Sequence, residues 1–279
     1  MFEIFPLNLG ICAHDLAITT KEALIQKLKR WQLSHIQIAP QKAFSIDLPC
    51  ITLRLANYFG TYFQKNEIEL SILGYCVNIF SENIQMRKQA LDTFKHQISL
   101  CTAYQAKMIT TETGSLTTGY TPKNFTEEAY QIAQNSVMQI VEEAEKFGIT
   151  VAIEGGINHP LSSYQLAKRL IHEVASSNLK LILDCANFIN LKKHGEQEML
   201  VHHALEELGP HLAAVHLKDY IVKNKAIHIV PVGQGCLDFR PLLHFLKVNR
   251  PFLYATLEAI PEKDVPQVMN HLESLYQIC

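Results

Sequence analysis

The chain has 279 residues, of which 48% are hydrophobic and 19% charged, and its 25 basic side chains nearly balance 27 acidic ones. That is enough apolar material for one large core, and no broad basic field exists to hold a nucleic-acid backbone. No apolar run is long enough to span a membrane, and the opening Met-Phe-Glu-Ile-Phe-Pro carries an acid where an export leader would carry bases.

Seven cysteines (Cys12, Cys50, Cys76, Cys101, Cys185, Cys236 and Cys279) show no CxxC pair or finger spacing. The expectation is a cytoplasmic protein with reduced, buried thiols, partnered by neither membrane nor nucleic acid.

Along the chain, short runs rich in Ile, Val and Leu alternate with longer stretches whose apolar residues recur at helical spacing. The first strand reads as Leu7–Cys12. Thr20 then caps a helix carrying Leu24, Leu28 and Trp31. Strands at His35–Ala39 and Ile68–Tyr75 follow, and Ser81 begins a helix with Leu91, Phe94, Ile98 and Cys101 on one face. After a strand at Lys107–Thr111, Thr126 with Glu127 and Glu128 opens a long helix that Gly148 ends. Thr150–Ile153 leads to a helix capped by Ser162 or Ser163 and bearing Leu166, Leu170 and Val174. Lys180–Leu183 precedes a helix with Leu205 and Leu208, stopped by Gly209-Pro210, and Ala213–Val215 and Tyr254–Leu257 complete the series.

Strand then helix, about eight times over, implies a parallel sheet with helical crossovers. One (β/α)₈ TIM barrel over residues 1–279 is the expected fold, with an open doubly wound sheet as the competitor. Against the latter, no GxGxxG or GxxxxGK segment follows any strand.

Four of the later strands end alike: Val151-Ala-Ile-Glu154, Leu181-Ile-Leu-Asp184, Ala213-Ala-Val-His216 and Ala255-Thr-Leu-Glu258. In a barrel every strand ends at the same mouth, so residues one βα unit apart in sequence become neighbours. Converging carboxylates repel unless a cation neutralises them. Glu154, Asp184, His216 and Glu258 are therefore the expected ligands of one divalent metal ion, with oxygen-rich ligation that suits Mn²⁺, Mg²⁺, Zn²⁺ or Co²⁺. Singly, each has a plainer role: a strand-end acid often caps the next helix, and a lone His after an apolar strand is often a core residue.

These segments, with Ile109-Thr-Thr-Glu-Thr-Gly114, Val215-His-Leu-Lys-Asp219, Val232-Gly-Gln-Gly235 and Asp238-Phe239, resemble the sugar isomerase/epimerase branch of the xylose isomerase-like barrels, from Gly10 to Glu258. The resemblance implies that Glu154, Asp184, His216 and Glu258 hold the metal, and that Glu154 and Glu258 also serve as acid and base on a small sugar-like substrate.

Two departures stand out. Many members have a His three residues past the aspartate, where this chain has Asn187, and the Arg that follows the histidine strand is missing from Ile221 to Gln234. The expected activity is isomerisation or epimerisation through an enediolate, with dehydration on the same metal site as the alternative. The superfamily's abasic-site endonucleases need further His and Asp ligands, and Lys225–Val230 offers only His228. A non-catalytic sugar-binding barrel is a third reading.

Residues expected to contact substrate are His14, Glu112, His159, Asn187 and Lys218, although Lys218 could instead pair with its neighbour Asp219. Asn78 is a further mouth residue, Gly233 and Gly235 would bring backbone beneath the substrate or make a tight turn, and the long segment from Tyr220 to Leu237 would cover the pocket as a lid. Barrels often pair through their outer helices, but nothing in the sequence marks such an interface.

Overall fold

A computed structural model describes residues 6–47, 50–75, 77–112 and 114–279. Eight parallel strands close into a barrel: β1 (Leu9–Cys12), β2 (His35–Ile38), β3 (Glu69–Gly74), β4 (Met108–Glu112), β5 (Thr150–Glu154), β6 (Leu179–Asp184), β7 (Leu212–Leu217) and, last in the chain, β10 (Tyr254–Leu257). β1 pairs with both β2 and β10, which removes every free edge.

Around them lie α1 (Lys21–Arg30), the short α2 (Pro40–Ala43), α3 (Leu53–Lys65), α4 (Ile84–Tyr104), α5 (Glu127–Phe147), α6 (Tyr164–Val174), α7 (Gln197–Leu208), α8 (Arg240–Val248) and α9 (Val265–Ile278). Thr20, Thr126 and Ser163 accept the cap hydrogen bonds expected of them, and Gly148 ends α5 in the left-handed conformation. Ser81 does not begin α4. Asn83 is its cap, accepting from the Gln85 and Met86 amides, while Ser81 Oγ accepts from the Asn83 amide one turn earlier.

Both faces of the barrel strands are largely buried, so strands such as β5, β6 and β7 read as apolar runs up to the mouth. Val151, Ile153, Leu181, Leu183, Val215 and Leu257 face the helices and join the main core with Phe63, Phe94, Ile98, Val137 and Leu170. A second cluster, Ile72, Met108, Ala152, Ile182 and Ala214, is made by the alternate residues of these strands and fills the barrel interior. Strand side chains repeat every two residues. Two positions beyond Ala152, Ile182 and Ala214, the same inward rows carry Glu154, Asp184 and His216.

At the opposite end of the interior, the buried His35 sits against Gly10, where an added Cβ would lie only 2.2 Å from the imidazole. Ser71 Oγ and the Asn8 carbonyl flank its ring nitrogens at 2.9 and 3.2 Å.

The segment after β7, expected as a lid, has regular structure of its own. It forms a hairpin, β8 (Asp219–Lys223) and β9 (Ala226–Val230), paired in antiparallel register. Asn224 and Lys225 both adopt positive φ at its two-residue turn.

The thiols also depart from expectation. Cys12, Cys101 and Cys185 are buried, but Cys50 and Cys236 are exposed; none of these is paired, and Cys76 lies outside the described residues. No described helix is long and apolar enough to cross a membrane.

Candidate metal centre

Glu154, Asp184 and His216 stand at the C-terminal ends of β5, β6 and β7, and Glu258 directly follows β10. Asp184 and His216 face each other in register, and the Glu258 amide donates to the Leu217 carbonyl at 3.2 Å. One potential ligand atom from each of the four lies within 4.8 Å of those of the other three. Sequence distances of 30 to about 100 residues thus collapse onto one spot at the mouth.

The imidazole is the centre of the group. His216 Nδ1 lies 3.2 Å from Glu154 Oε2 and 3.1 Å from Glu258 Oε2, while its Nε2–H donates to Gln37 Oε1 at 2.8 Å. Because Gln37 takes the Nε2 proton, the Nδ1 lone pair is the one available to a cation. Nδ1 is a buried atom without a hydrogen-bond partner, and Asp184 Oδ2 has only the Lys218 ammonium beside it. Orphaned buried polar atoms are costly, on the order of 1–3 kcal/mol each. A divalent ion among the four side chains would satisfy both, so the residues present fit the ion.

Electrostatics agree. Burial pushes the Asp184 carboxyl up to about 7 even though the Lys218 ammonium opposes the shift, and burial likewise raises Glu154 against the pull of His216. For His216, burial works against the charged form, but the Glu154 and Glu258 carboxylates outweigh it and hold the imidazole well above its ordinary value. Burial would raise Glu258 too, but His216 and Lys218 prevail and keep this carboxyl far below the usual range.

Of the residues expected to contact substrate, two join the cluster. Asn187 donates its side-chain amide to Glu154 Oε1 at 2.7 Å and its backbone amide to Asp184 Oδ1 at 3.2 Å. It holds two of the four clustered side chains in place. Lys218 Nζ approaches Asp184 Oδ2 at 2.8 Å and Glu258 Oε2 at 2.9 Å, so it is not the partner of Asp219.

His14 lies outside the four, in a neighbouring group with Cys12 and Asp15 at the end of β1. Asp15 Oδ2 accepts the Ala259 amide at 2.7 Å, which ties that loop to the residue after Glu258. Burial lowers the His14 pKa and favours its neutral form. His159 packs over Gly156 in the turn after β5 and is not among the ligand groups. Glu112 pairs in register with Glu154 at the end of β4, and its side chain lies outside the described residues.

Asn78 is a brace: its amide donates to the Ser115 carbonyl at 2.6 Å and accepts the Phe80 N–H, joining the β3 and β4 loops. Sequence reasoning missed Gln37, although a Gln inside His35-Ile-Gln-Ile38 was a polar residue in a fully buried strand.

Asp219 binds the amides of both glycines, and Gly233 turns the chain at a φ of 81°. Buried, Asp219 accepts N–H groups from Tyr220, Gly233, Gly235 and Leu237 at 2.8 to 3.0 Å. A Cβ on Gly235 would lie 2.1 Å from Asp219 Oδ1. Gly235 is therefore small to admit this carboxylate, which fastens the base of the hairpin.

A family model described as a xylose isomerase-like TIM barrel matches residues 25–275. The chain belongs to this family. Its fold is similar to that of 3-keto-D-glucoside 4-epimerase YcjR from E. coli, at 17% identity and TM-score 0.73 over 98% of this chain and 100% of that one. It is also similar to the IolI protein with a bound zinc atom, at 16% identity and TM-score 0.74 over 97% and 98% of the two chains. A third likeness is to AsbF from Bacillus anthracis, a probable 3-DHS dehydratase involved in petrobactin synthesis, at 14% identity and TM-score 0.72 over 97% of each chain. No curated protein matches the sequence.

Proposed function

We propose that this chain is a divalent-metal-dependent isomerase or epimerase of a small, sugar-like hydroxy-ketone or hydroxy-aldehyde. The observation that carries the reading is the convergence of three carboxylates and one imidazole, from four strands, within 4.8 Å at the barrel mouth. The zinc in IolI and the epimerase activity named for YcjR support it from outside the chain.

A divalent ion bound by Glu154, Asp184, His216 and Glu258 would supply positive charge for the oxyanion that develops as a C–H proton leaves the substrate. The chain's own groups move the proton. Glu258 is the more exposed of the two glutamates, and the Lys218 ammonium 2.9 Å away favours its ionised form, which suits it to be the base. Glu154 is the more buried of the two and takes the opposite role, returning a proton to the substrate. Asn187 fixes the Glu154 carboxylate by its 2.7 Å hydrogen bond, and Gln37 fixes the His216 ring. Return of the proton to the same carbon would invert it, whereas return to its neighbour would interconvert aldose and ketose.

Dehydration of a related substrate is the second reading, favoured by the likeness to AsbF. It uses the same base and ends in loss of a hydroxyl. Against an endonuclease, Asn187 engages Glu154 and Asp184 through amide N–H donors and adds no ligand for a further metal.

The test is to load the purified protein with Mn²⁺ or Zn²⁺ and follow solvent deuterium uptake into a panel of ketoses, aldoses and keto-acids by mass spectrometry. Metal-dependent uptake without loss of water supports the isomerase or epimerase, and loss of water, with or without uptake, supports the dehydratase. Neither exchange nor loss of water in any member, with metal bound, would refute both.

A further inference from the structure

We infer that Lys218 is a built-in counter-ion of this centre, one that a divalent cation must displace from Asp184, and that it sets how tightly the site holds its ion. The inference rests on the reading of the four strand-end residues as a metal site and adds to it a residue that opposes the metal.

The placement follows from the strand. His216 and Lys218 are two residues apart along the line of β7, so both point into the mouth while Leu217 between them packs outward in the main core. Only 10% of the Lys218 side chain is exposed. A lysine so deeply placed needs specific partners, and it has two: Asp184 Oδ2 at 2.8 Å and Glu258 Oε2 at 2.9 Å.

The two contacts differ in kind. That to Glu258 is a hydrogen bond, whereas that to Asp184 is a close ion pair off the hydrogen-bond axis, leaving Oδ2 without a hydrogen-bond partner. Asp184 Oδ1 is already engaged by the Asn187 amide. Oδ2 is thus the oxygen Asp184 has left for a metal, and the ammonium stands beside it. Cation and ammonium compete for one atom.

Charge makes the same point. In the metal-loaded state, with His216 neutral and the carboxylates ionised, three carboxylates and one ammonium sum to two negative charges, which a single divalent ion neutralises. Without Lys218 the pocket would hold three, and its attraction for a cation would grow by a full charge at a few ångströms. Competition and long-range attraction therefore act in the same direction: the lysine weakens metal binding. A lysine that only contacts substrate would leave metal affinity unchanged, and one that only props up the ligands would strengthen it.

The experiment is a competition titration of Mn²⁺ against a chromophoric chelator for the wild type, Lys218→Met, Lys218→Gln and Lys218→Arg. It is run at mildly alkaline pH, so that no proton takes the lysine's place on the carboxylates, with far-UV circular dichroism to select the folded variants. Removing the charge should tighten Mn²⁺ binding by roughly tenfold or more, in whichever of the Met and Gln variants is folded, and Lys218→Arg should stay near the wild type. Unchanged or weaker binding in a folded Met or Gln variant overturns the inference. Equal tightening in Lys218→Arg overturns the charge argument. A wild type that binds no divalent ion overturns the metal reading itself, a result distinct from either.

Discussion

Replacement of Gln37 by Leu tests the centre through a residue that touches neither metal nor substrate. Gln37 is buried, and its Oε1 accepts the His216 Nε2–H at 2.8 Å. Leu fills a similar volume but accepts nothing, so the N–H is left unpartnered in a buried site at a cost of about 1–3 kcal/mol. The ring loses the restraint that presents Nδ1 to the cluster. Loss of such an outer partner should weaken metal affinity by roughly 10- to 100-fold, or about 1.4 to 2.8 kcal/mol. Chelator competition measures this directly, and Gln37→Glu, which retains an acceptor, should hold the ion at least as well as the wild type. Undiminished affinity in a natively folded Gln37→Leu protein would refute the assignment of Gln37 as the group that orients the imidazole.

Four further outcomes are expected. Glu258→Gln, assayed at saturating metal, should lose on the order of a hundredfold or more in turnover with its circular dichroism unchanged; an unaltered rate would remove Glu258 from the chemistry. Chelation should lower the melting temperature, and metal at about 100 times its Kd should restore about 2.7 kcal/mol; coincident melting curves would argue against a site in the folded state. Burial holds His35 down at about 4 from an ordinary value of 6.5, so the unfolded chain binds a proton that the folded chain refuses. Its contribution is complete above pH 6.5 and is lost as pH falls from 6.5 toward 4, by about 3 kcal/mol in all; urea titrations across that window should be steeper in pH for the wild type than for His35→Gln. Gly235→Ala would drive its methyl into the Asp219 carboxylate and should cost about 1–3 kcal/mol in urea unfolding, whereas a neutral effect would mean the loop shifts freely.

The eight barrel strands were legible in the chain because burial on both faces leaves a run such as Val151-Ala-Ile with no polar break until the mouth is reached. The same contrast marked the candidate site. Glu154, Asp184 and His216 stand where an inward row of Ala152, Ile182 and Ala214 gives way to polar groups, and a carboxylate ending an apolar strand is conspicuous without coordinates. Helix caps were readable where a single side chain decides them, as at Thr126, and misread where two polar residues compete, as Ser81 and Asn83 do before α4.

The hairpin from Asp219 to Val230 was hidden because its turn is Asn224-Lys225 rather than a glycine pair, and its strands are half exposed. Partnership was not legible at all. Whether Lys218 meets Asp219 or Asp184, whether Gln37 reaches His216 across 179 positions, and whether Gly235 makes room for substrate or for a carboxylate depend on which strands the barrel sets side by side. Side-chain chemistry and period are properties of the local chain, and the sequence alone determined them. Distances between remote residues arise only when the strands close on one another, and tertiary structure alone decided those.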